Sequence, residues 1–199
     1  MKKLLLFGAL AFGSNLVAQT SSGAVTDVDG NNHTQGSPTY KVGDIVPEIG
    51  GIVFYIDSSG KHGLVAAEVD QGAYPWGCTD IVIDGSDSEV VFGGKKNTKD
   101  IVEGCKQEEI SAKICDSLLL NDFDDWYLPS KDELNLMHVN LYKQGLGNFK
   151  NTWYHSSTQR KQKSYFSMND VWHQKFDKEG SQMPAGKKVP AQVRAIRCF

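Results

Sequence analysis

The stretch NDFDDWYLPSKDELNLM, residues 121–137, carries the strongest structural signal in the 199-residue chain and places five carboxylates close together. A residue before proline is pushed out of the helical region, so the segment before Pro129 is predicted to be extended. Ser130 and Glu133 form an S-x-x-E capping box, which predicts that a helix begins there. Turn and helix-dipole chemistry explain most of these carboxylates, and a catalytic pair for glycoside hydrolysis is not needed.

The new helix should bury one apolar face and end near a glycine. Leu134, Met137 or His138, and Leu141 recur at helical spacing, and Gly145 suits the helix end. We therefore expect a capped, core-facing helix directly after the extended segment.

A β-hairpin is predicted at residues 50–70, GGIVFYIDSSGKHGLVAAEVD. The runs at residues 52–56 and 64–69 are rich in β-branched and aromatic residues and flank a turn. The first run is apolar on both faces, which indicates a central strand. Residues 74–94 are interpreted as loops with minor strands.

Two further helices and a terminal strand are expected. Asn97 or Thr98 can cap a helix that Gly104 separates from a second helix within residues 107–120. After residue 150, aromatic-rich segments alternate with polar turns and end in VRAIRCF, residues 193–199. This pattern predicts antiparallel sheet with exposed loops.

The first residues, MKKLLLFGALAFGSNLVAQT, have the layout of a secretory signal peptide. We place signal-peptide cleavage after Ala18, a flexible leader or linker at residues 19–46 and one domain at residues 47–199. A calcium loop at DVDGN is not expected, because Asn32 and Pro38 replace the required glycine and glutamate. No second apolar run is long enough for a membrane span, so we expect a protein that is secreted or held at the cell surface.

Four cysteines remain after cleavage, and an even number in an exported protein favours two disulfides. Cys78, Cys105, Cys115 and Cys198 allow three pairings, among which the residues alone do not choose. Zinc is disfavoured because the chain has neither a C-x-x-C nor an H-x-x-x-H pair. We expect no metal and no cofactor.

Charge is distributed unevenly along the chain. Residues 19–149 contain nine Lys and Arg against 21 Asp and Glu, whereas residues 150–199 contain ten against three. Either the two parts pair within one domain, or the basic segment forms a cationic face for a polyanion. Both interpretations stay open at this point.

Seven motifs, in this order, give the chain a family resemblance: GGIVFYID, GLVAA, WGC, NTKDIVEGC, DWYLPSKDELNLM, YHSST and VRAIRCF. They resemble the Lcl C-terminal domain family, a bacterial family long catalogued as a domain of unknown function, over about residues 47–199. The series is more distantly similar to the C-type-lectin-like fold shared with formylglycine-generating enzymes. The resemblance implies an α+β, C-type-lectin-like mixed domain with two main helices packed on a small twisted antiparallel sheet with long loops. It also implies disulfides between Cys115 and Cys198 and between Cys78 and Cys105.

The resemblance implies a binding function, since adhesins of this family bind sulfated, glycosaminoglycan-type polysaccharides. We expect a non-catalytic carbohydrate-binding module of the bacterial cell surface, with a polysaccharide or cell-surface glycan as partner and no nucleic acid. Arginine grips sulfate through paired donors, lysine adds charge, and aromatic rings stack on sugars. The expected ligand-binding side chains are His155, Gln159, Arg160, Lys161, Lys163, Tyr165, Trp172, His173, Lys175, Lys187 and Lys188.

Two alternatives remain. The first is a surface or assembly component whose partners are proteins, which predicts an exposed apolar patch. The second is an enzyme of formylglycine-generating type, which is disfavoured because such enzymes use a cysteine pair near the C-terminus, where Cys198 stands alone. The collagen-like Gly-x-y repeat of the adhesins is also missing, so a trimer driven by a stalk is not expected.

Overall fold

The computed structural model describes residues 39–161 and 168–199, together with two short backbone strands nearer the N-terminus. These strands, β1 (Val25–Thr26) and β2 (Asn32–His33), pair antiparallel within a unit that spans Met1–Pro38. The second unit spans Thr39–Phe199. The expected signal peptide and most of the expected leader lie outside the described residues.

A four-stranded antiparallel sheet is the first of two sheets in the second unit. Its strands are β3 (Ile45–Val46), β4 (Gly51–Ile56), β5 (Gly63–Ala66) and β11 (Ile196–Cys198), in the spatial order β11-β5-β4-β3. The predicted hairpin is confirmed as β4 and β5, which pair directly. Strand β4 is internal and four of its six residues are buried, as its apolar sequence indicates.

The second sheet of this unit is five-stranded and mixed. Its strands are β6 (Gly72–Tyr74), β7 (Trp153–Gln159), β8 (Asp170–Lys175), β9 (Gln182–Gly186) and β10 (Ala191–Val193), in the order β6-β10-β7-β8-β9. Only the β10–β7 pair is parallel among these strands. Minor strands were expected in residues 74–94. Apart from Tyr74 at the end of β6, this described segment contains no strand and consists of turns and loops up to the start of a helix at Gly94.

The predicted terminal strand is divided between the two sheets. Residues 191–193 join the five-stranded sheet and residues 196–198 join the four-stranded one. The chain changes sheet at Arg194 and Ala195, where the Gln71 side chain accepts a hydrogen bond from the Ala195 amide at 2.6 Å. A single strand was therefore the wrong interpretation, because the buried Arg194 needs polar partners that a sheet interior lacks.

Three helices occur among the described residues: α1 (Gly94–Gly104), α2 (Ser111–Asp116) and α3 (Lys131–Asn140). Helix α1 ends at Gly104 as predicted, but it begins before the expected cap residues. Asn97 and Thr98 are buried inside it, where Asn97 bonds the backbone of Ser88 and Thr98 bonds that of Leu128. Their polar side chains fix neighbouring segments and do not cap the helix.

The capping box of α3 is confirmed. Ser130 Oγ accepts from the Glu133 amide at 3.3 Å, and Glu133 Oε2 accepts from the Ser130 amide at 2.7 Å. Burial raises the pKa of Glu133 to about 7, while amide donors, including those of Ser130 and Phe92, lower it. A short 3-10 turn follows α3 and closes at Gly145, whose φ of 71° suits glycine. The helix and its carboxylate are thus structural.

The five-stranded sheet is covered on both faces, because alternate residues of its strands enter two core clusters. Val171 packs in a cluster that contains Ile101 of α1 and Ala112 of α2. Tyr154 and Phe176 pack in a second cluster with residues of α3 and the first sheet. The architecture is therefore α+β, with two sheets flanked by short helices.

One disulfide is present among the described residues. Cys78 and Cys105 are bonded, with their Cα atoms 5.8 Å apart, which agrees with half of the expected pairing. The expected Cys115–Cys198 bond is wrong in this structure, because both thiols are free. Cys115 is buried in the first cluster, whereas Cys198 borders the second, beside the hydroxyl of Tyr127.

Candidate ligand-binding surface

Three of the predicted cations lie together where the ends of β7, β8 and β9 meet. The Arg160 amide donates to the carbonyl of Asp170 at 2.9 Å, and Asp170 pairs with Gly186 in the next strand. Lys161 follows Arg160, and Lys188 lies two residues beyond Gly186; both lysines are exposed. We call Arg160, Lys161 and Lys188 the basic sheet end.

The charge of the basic sheet end is only partly neutralised. Arg160 Nη1 pairs with Asp170 Oδ2 at 2.9 Å, and the Arg160 side chain keeps 41% of its surface exposed. Lys161 and Lys188 form no salt bridge with any residue that the structure describes. These two lysines therefore differ from Arg160, which has a carboxylate partner.

Lys187 and Gln159 lie beneath this surface and do not belong to it. Lys187 Nζ donates to Gln159 Oε1 at 2.7 Å and to the carbonyl of Ile81, and it lies 4.6 Å from the centre of the Trp76 ring. Burial lowers the pKa of Lys187 to about 8. Neither side chain reaches solvent, so the expectation that they contact a ligand is not met in this conformation.

His155 and His173 are also buried, and they pack against each other with ring centroids 4.3 Å apart. Burial and the neighbouring His173 hold the pKa of His155 well below its ordinary value, and burial lowers the pKa of His173 to about 4. The strand period places both side chains on one inward face. They are therefore removed from the candidate surface.

Trp172 and Lys175 lie on opposite faces of β8, because their positions differ by an odd number. Lys131 Nζ lies 3.9 Å from the centre of the Trp172 ring, and Lys175 Nζ lies 5.9 Å from that of Trp153. Both predicted side chains are half-buried, and each lies over or against a described partner of its own. Lys163 and Tyr165 lie outside the described residues.

Two arginines of the basic segment pair with the acidic part of the chain. Arg194 is fully buried and binds Asp70, with Nη2 at 2.7 Å from Oδ1. Arg197 grips Asp125 through Nε and Nη2. Internal pairing thus applies to these two arginines, whereas Lys161 and Lys188 are exposed and form no salt bridge with a described residue.

A cleft of about 480 Å³ was not anticipated from the sequence. It lies between α1 and the segment before Pro129, and its charged lining is mixed: Lys95, Lys96, Lys99, Asp116, Asp124 and Asp125. The lysines of KKNTK were visible in the sequence, but nothing there placed them opposite the acidic segment. This balance of charges favours neither an anion nor a cation.

Within residues 39–161 and 168–199, no group of three or more His, Cys, Asp or Glu side chains is placed to hold a metal ion. In the same part of the chain, no helix has the length and apolar character needed to cross a membrane.

Comparison with protein-family models finds none that matches the chain, and a search of curated proteins finds no match either. The resemblance to the Lcl C-terminal domain family therefore rests on its seven ordered motifs.

Proposed function

We propose that this chain is an exported, non-catalytic module that binds carbohydrate, specifically a sulfated or otherwise anionic polysaccharide, in adhesion. The proposal takes the fold to be of the C-type-lectin-like kind and the chain to be a relative of the Lcl C-terminal domain family. In such a module, the second sheet holds the ligand surface in place and its strand ends contact the polysaccharide.

The observation that carries the proposal is the basic sheet end. Exposed Lys161 and Lys188 have no described ionic partner and flank Arg160, whose guanidinium is partly exposed. A guanidinium can donate two parallel hydrogen bonds to a sulfate or carboxylate, and ammonium groups add attraction without strict geometry. Their placement on adjoining strand ends matches a chain-like anion better than a single small ion.

The opposing charges limit the strength of this surface. Asp170 pairs with Arg160, and Asp80 lies close by, with its carboxylate accepting from Asn169 at 2.8 Å. We therefore expect moderate affinity that falls steeply with added salt, because the cations remain largely in solvent.

The experiment is retention of the protein on heparin and on a neutral polysaccharide of similar length. The triple variant Arg160→Ala, Lys161→Ala, Lys188→Ala should elute from heparin at markedly lower salt. A matched control removes three other exposed lysines, Lys61, Lys143 and Lys178, and should elute near the wild type. Equal retention of the two triple variants would refute the assignment of this surface.

A protein partner is the second candidate, and an apolar edge favours it. Strand β3 borders the first sheet, and Ile45 and Val42 expose 61% and 45% of their surface. Leu146, beside Gly43, adds a third apolar side chain. If Ile45→Lys abolishes cell-surface attachment while heparin retention is unchanged, a protein-binding role replaces the polysaccharide role.

A further inference from the structure

His155, His173 and Met183 form a straight row across three adjacent strands of the second sheet. His155 of β7 lies directly opposite His173 of β8, and His173 lies directly opposite Met183 of β9. Residues opposite each other in antiparallel strands share a face, and their Cβ atoms lie about 5 Å apart. Two imidazoles and a thioether are therefore neighbours on one face of the sheet.

The imidazoles of this row have unused nitrogen atoms. His173 Nδ1 lies 3.1 Å from the carbonyl of Val171, which makes Nδ1 the donor and leaves the lone pair on Nε2. His173 Nε2 has no hydrogen-bond partner among the described residues. The ring nitrogens of His155 form no hydrogen bond of good geometry there, although the backbone carbonyls of Tyr74 and Val189 lie close to the ring. A buried polar atom without a partner is costly. A histidine that donates one N–H to a carbonyl and offers the other nitrogen is also the usual state of a metal ligand.

The strand neighbours of the row carry no carboxylate. The residues two positions before or after its three members on the same strands are Trp153, Ser157, Val171, Lys175, Ser181 and Ala185. The ammonium of Lys175 lies over the ring of Trp153 and adds a positive charge nearby. A divalent ion would find no compensating charge, whereas a soft monovalent ion needs less and prefers imidazole and thioether ligands.

We propose that His155, His173 and Met183 bind one soft monovalent metal ion of the Cu(I) class, with two imidazole nitrogens and one thioether sulfur. Met183 exposes 48% of its surface, which provides a route for the ion from solvent to the two buried histidines. Metal binding by these three residues does not require that the basic sheet end bind a polysaccharide.

Silver(I) and reduced copper, the latter under anaerobic conditions, are the probes. The full chain carries Cys198→Ser, which removes the half-buried thiol that would otherwise compete. We expect one ion per chain, shifts of the ring resonances of His155 and His173, and no comparable binding of Zn²⁺. Met183→Leu, at an exposed position that tolerates it, should weaken affinity roughly tenfold or more, the scale on which supporting contacts affect metal sites.

Met168→Leu and His62→Ala, which alter a methionine and a histidine outside the row, should bind as the Cys198→Ser parent does. His173→Gln should abolish binding. Absence of binding in the parent, titrations of Met183→Leu equal to those of Met168→Leu, unmoved histidine resonances, or tighter binding of Zn²⁺ would each overturn the proposal.

Discussion

The basic C-terminal segment divides into two regions that use the same charges in opposite ways. Arg194 and Arg197 point into the protein and are held by Asp70 and Asp125. Lys161 and Lys188 point outward and have no ionic partner among the described residues. Charge composition alone therefore does not identify a binding surface, because burial determines whether a cation stabilises the fold or remains exposed to a ligand.

Removal of the buried guanidinium should have the largest effect. Arg194 also donates through Nη1 to the carbonyls of Ala67 and Gly147, each at 2.9 Å. Arg194→Met leaves the buried Asp70 with only the exposed Lys150, whose Nζ lies 3.9 Å from Oδ2, as a nearby cation. Loss of one partner of a buried pair costs about 3–5 kcal/mol. Urea unfolding should show this decrease in the free energy of unfolding for Arg194→Met. For Lys161→Ala the same measurement should change by less than about 0.5 kcal/mol. Similar losses in the two variants would remove the distinction between the regions.

Loss of the disulfide should have the second largest effect on the free energy of unfolding. The Cys78–Cys105 bond closes a loop with a sequence separation of 27, and residue Ile81 within that loop accepts the hydrogen bond of Lys187. Cys78→Ser with Cys105→Ser should lower the free energy of unfolding by about 2–4 kcal/mol. It should also loosen the support beneath Lys188, so heparin retention should fall slightly. An unchanged free energy of unfolding would mean that the disulfide contributes little to the stability of this loop.

The pH dependence should give a third, smaller effect. His173 is neutral in the folded state down to its pKa of about 4, whereas its ordinary value is 6.5. Between these values the unfolded chain binds a proton that the folded chain does not. The stabilisation is thus complete above about pH 6.5 and is lost as pH falls, by at most about 1.4 kcal/mol per pH unit.

The raised pKa of Glu133 acts in the opposite direction, because its folded form gains a proton as pH falls through about 7. The free energy of unfolding of His173→Gln is therefore subtracted from that of the wild type at each pH, because the Glu133 contribution is the same in both proteins and cancels. The remaining stability difference should shrink steadily from pH 6.5 towards pH 4. A difference that is constant with pH would show that His173 is not held neutral.

Local signals in the sequence predicted much of the fold. The hairpin, the break at Gly104 and the capping box of Ser130 depend on residues a few positions apart, and all three are confirmed. The start of α1 depends on a distant contact. A Cβ at Gly94 would collide with Glu133 Oε2, so only glycine lets this helix begin against the carboxylate of α3.

The candidate site was less accessible to sequence reasoning. Lys187 and Lys188 are adjacent in the sequence, yet one is buried over Trp76 and the other is exposed. Both residues lie in the turn that follows β9, where no strand period predicts which of the two side chains faces the core. The histidine row was missed for a related reason, because its three members are brought together by strand register and not by spacing in the sequence.

The central claim is that the exposed cations of the basic sheet end bind a polyanion, and the salt dependence of heparin affinity tests it most directly. Each cation that contacts the ligand displaces counterions and adds to the slope of log affinity against log salt. We predict that Arg160→Ala, Lys161→Ala, Lys188→Ala reduces this slope by roughly two to three, while the Lys61, Lys143, Lys178 control keeps the slope of the wild type. Equal slopes for the two triple variants would contradict the account.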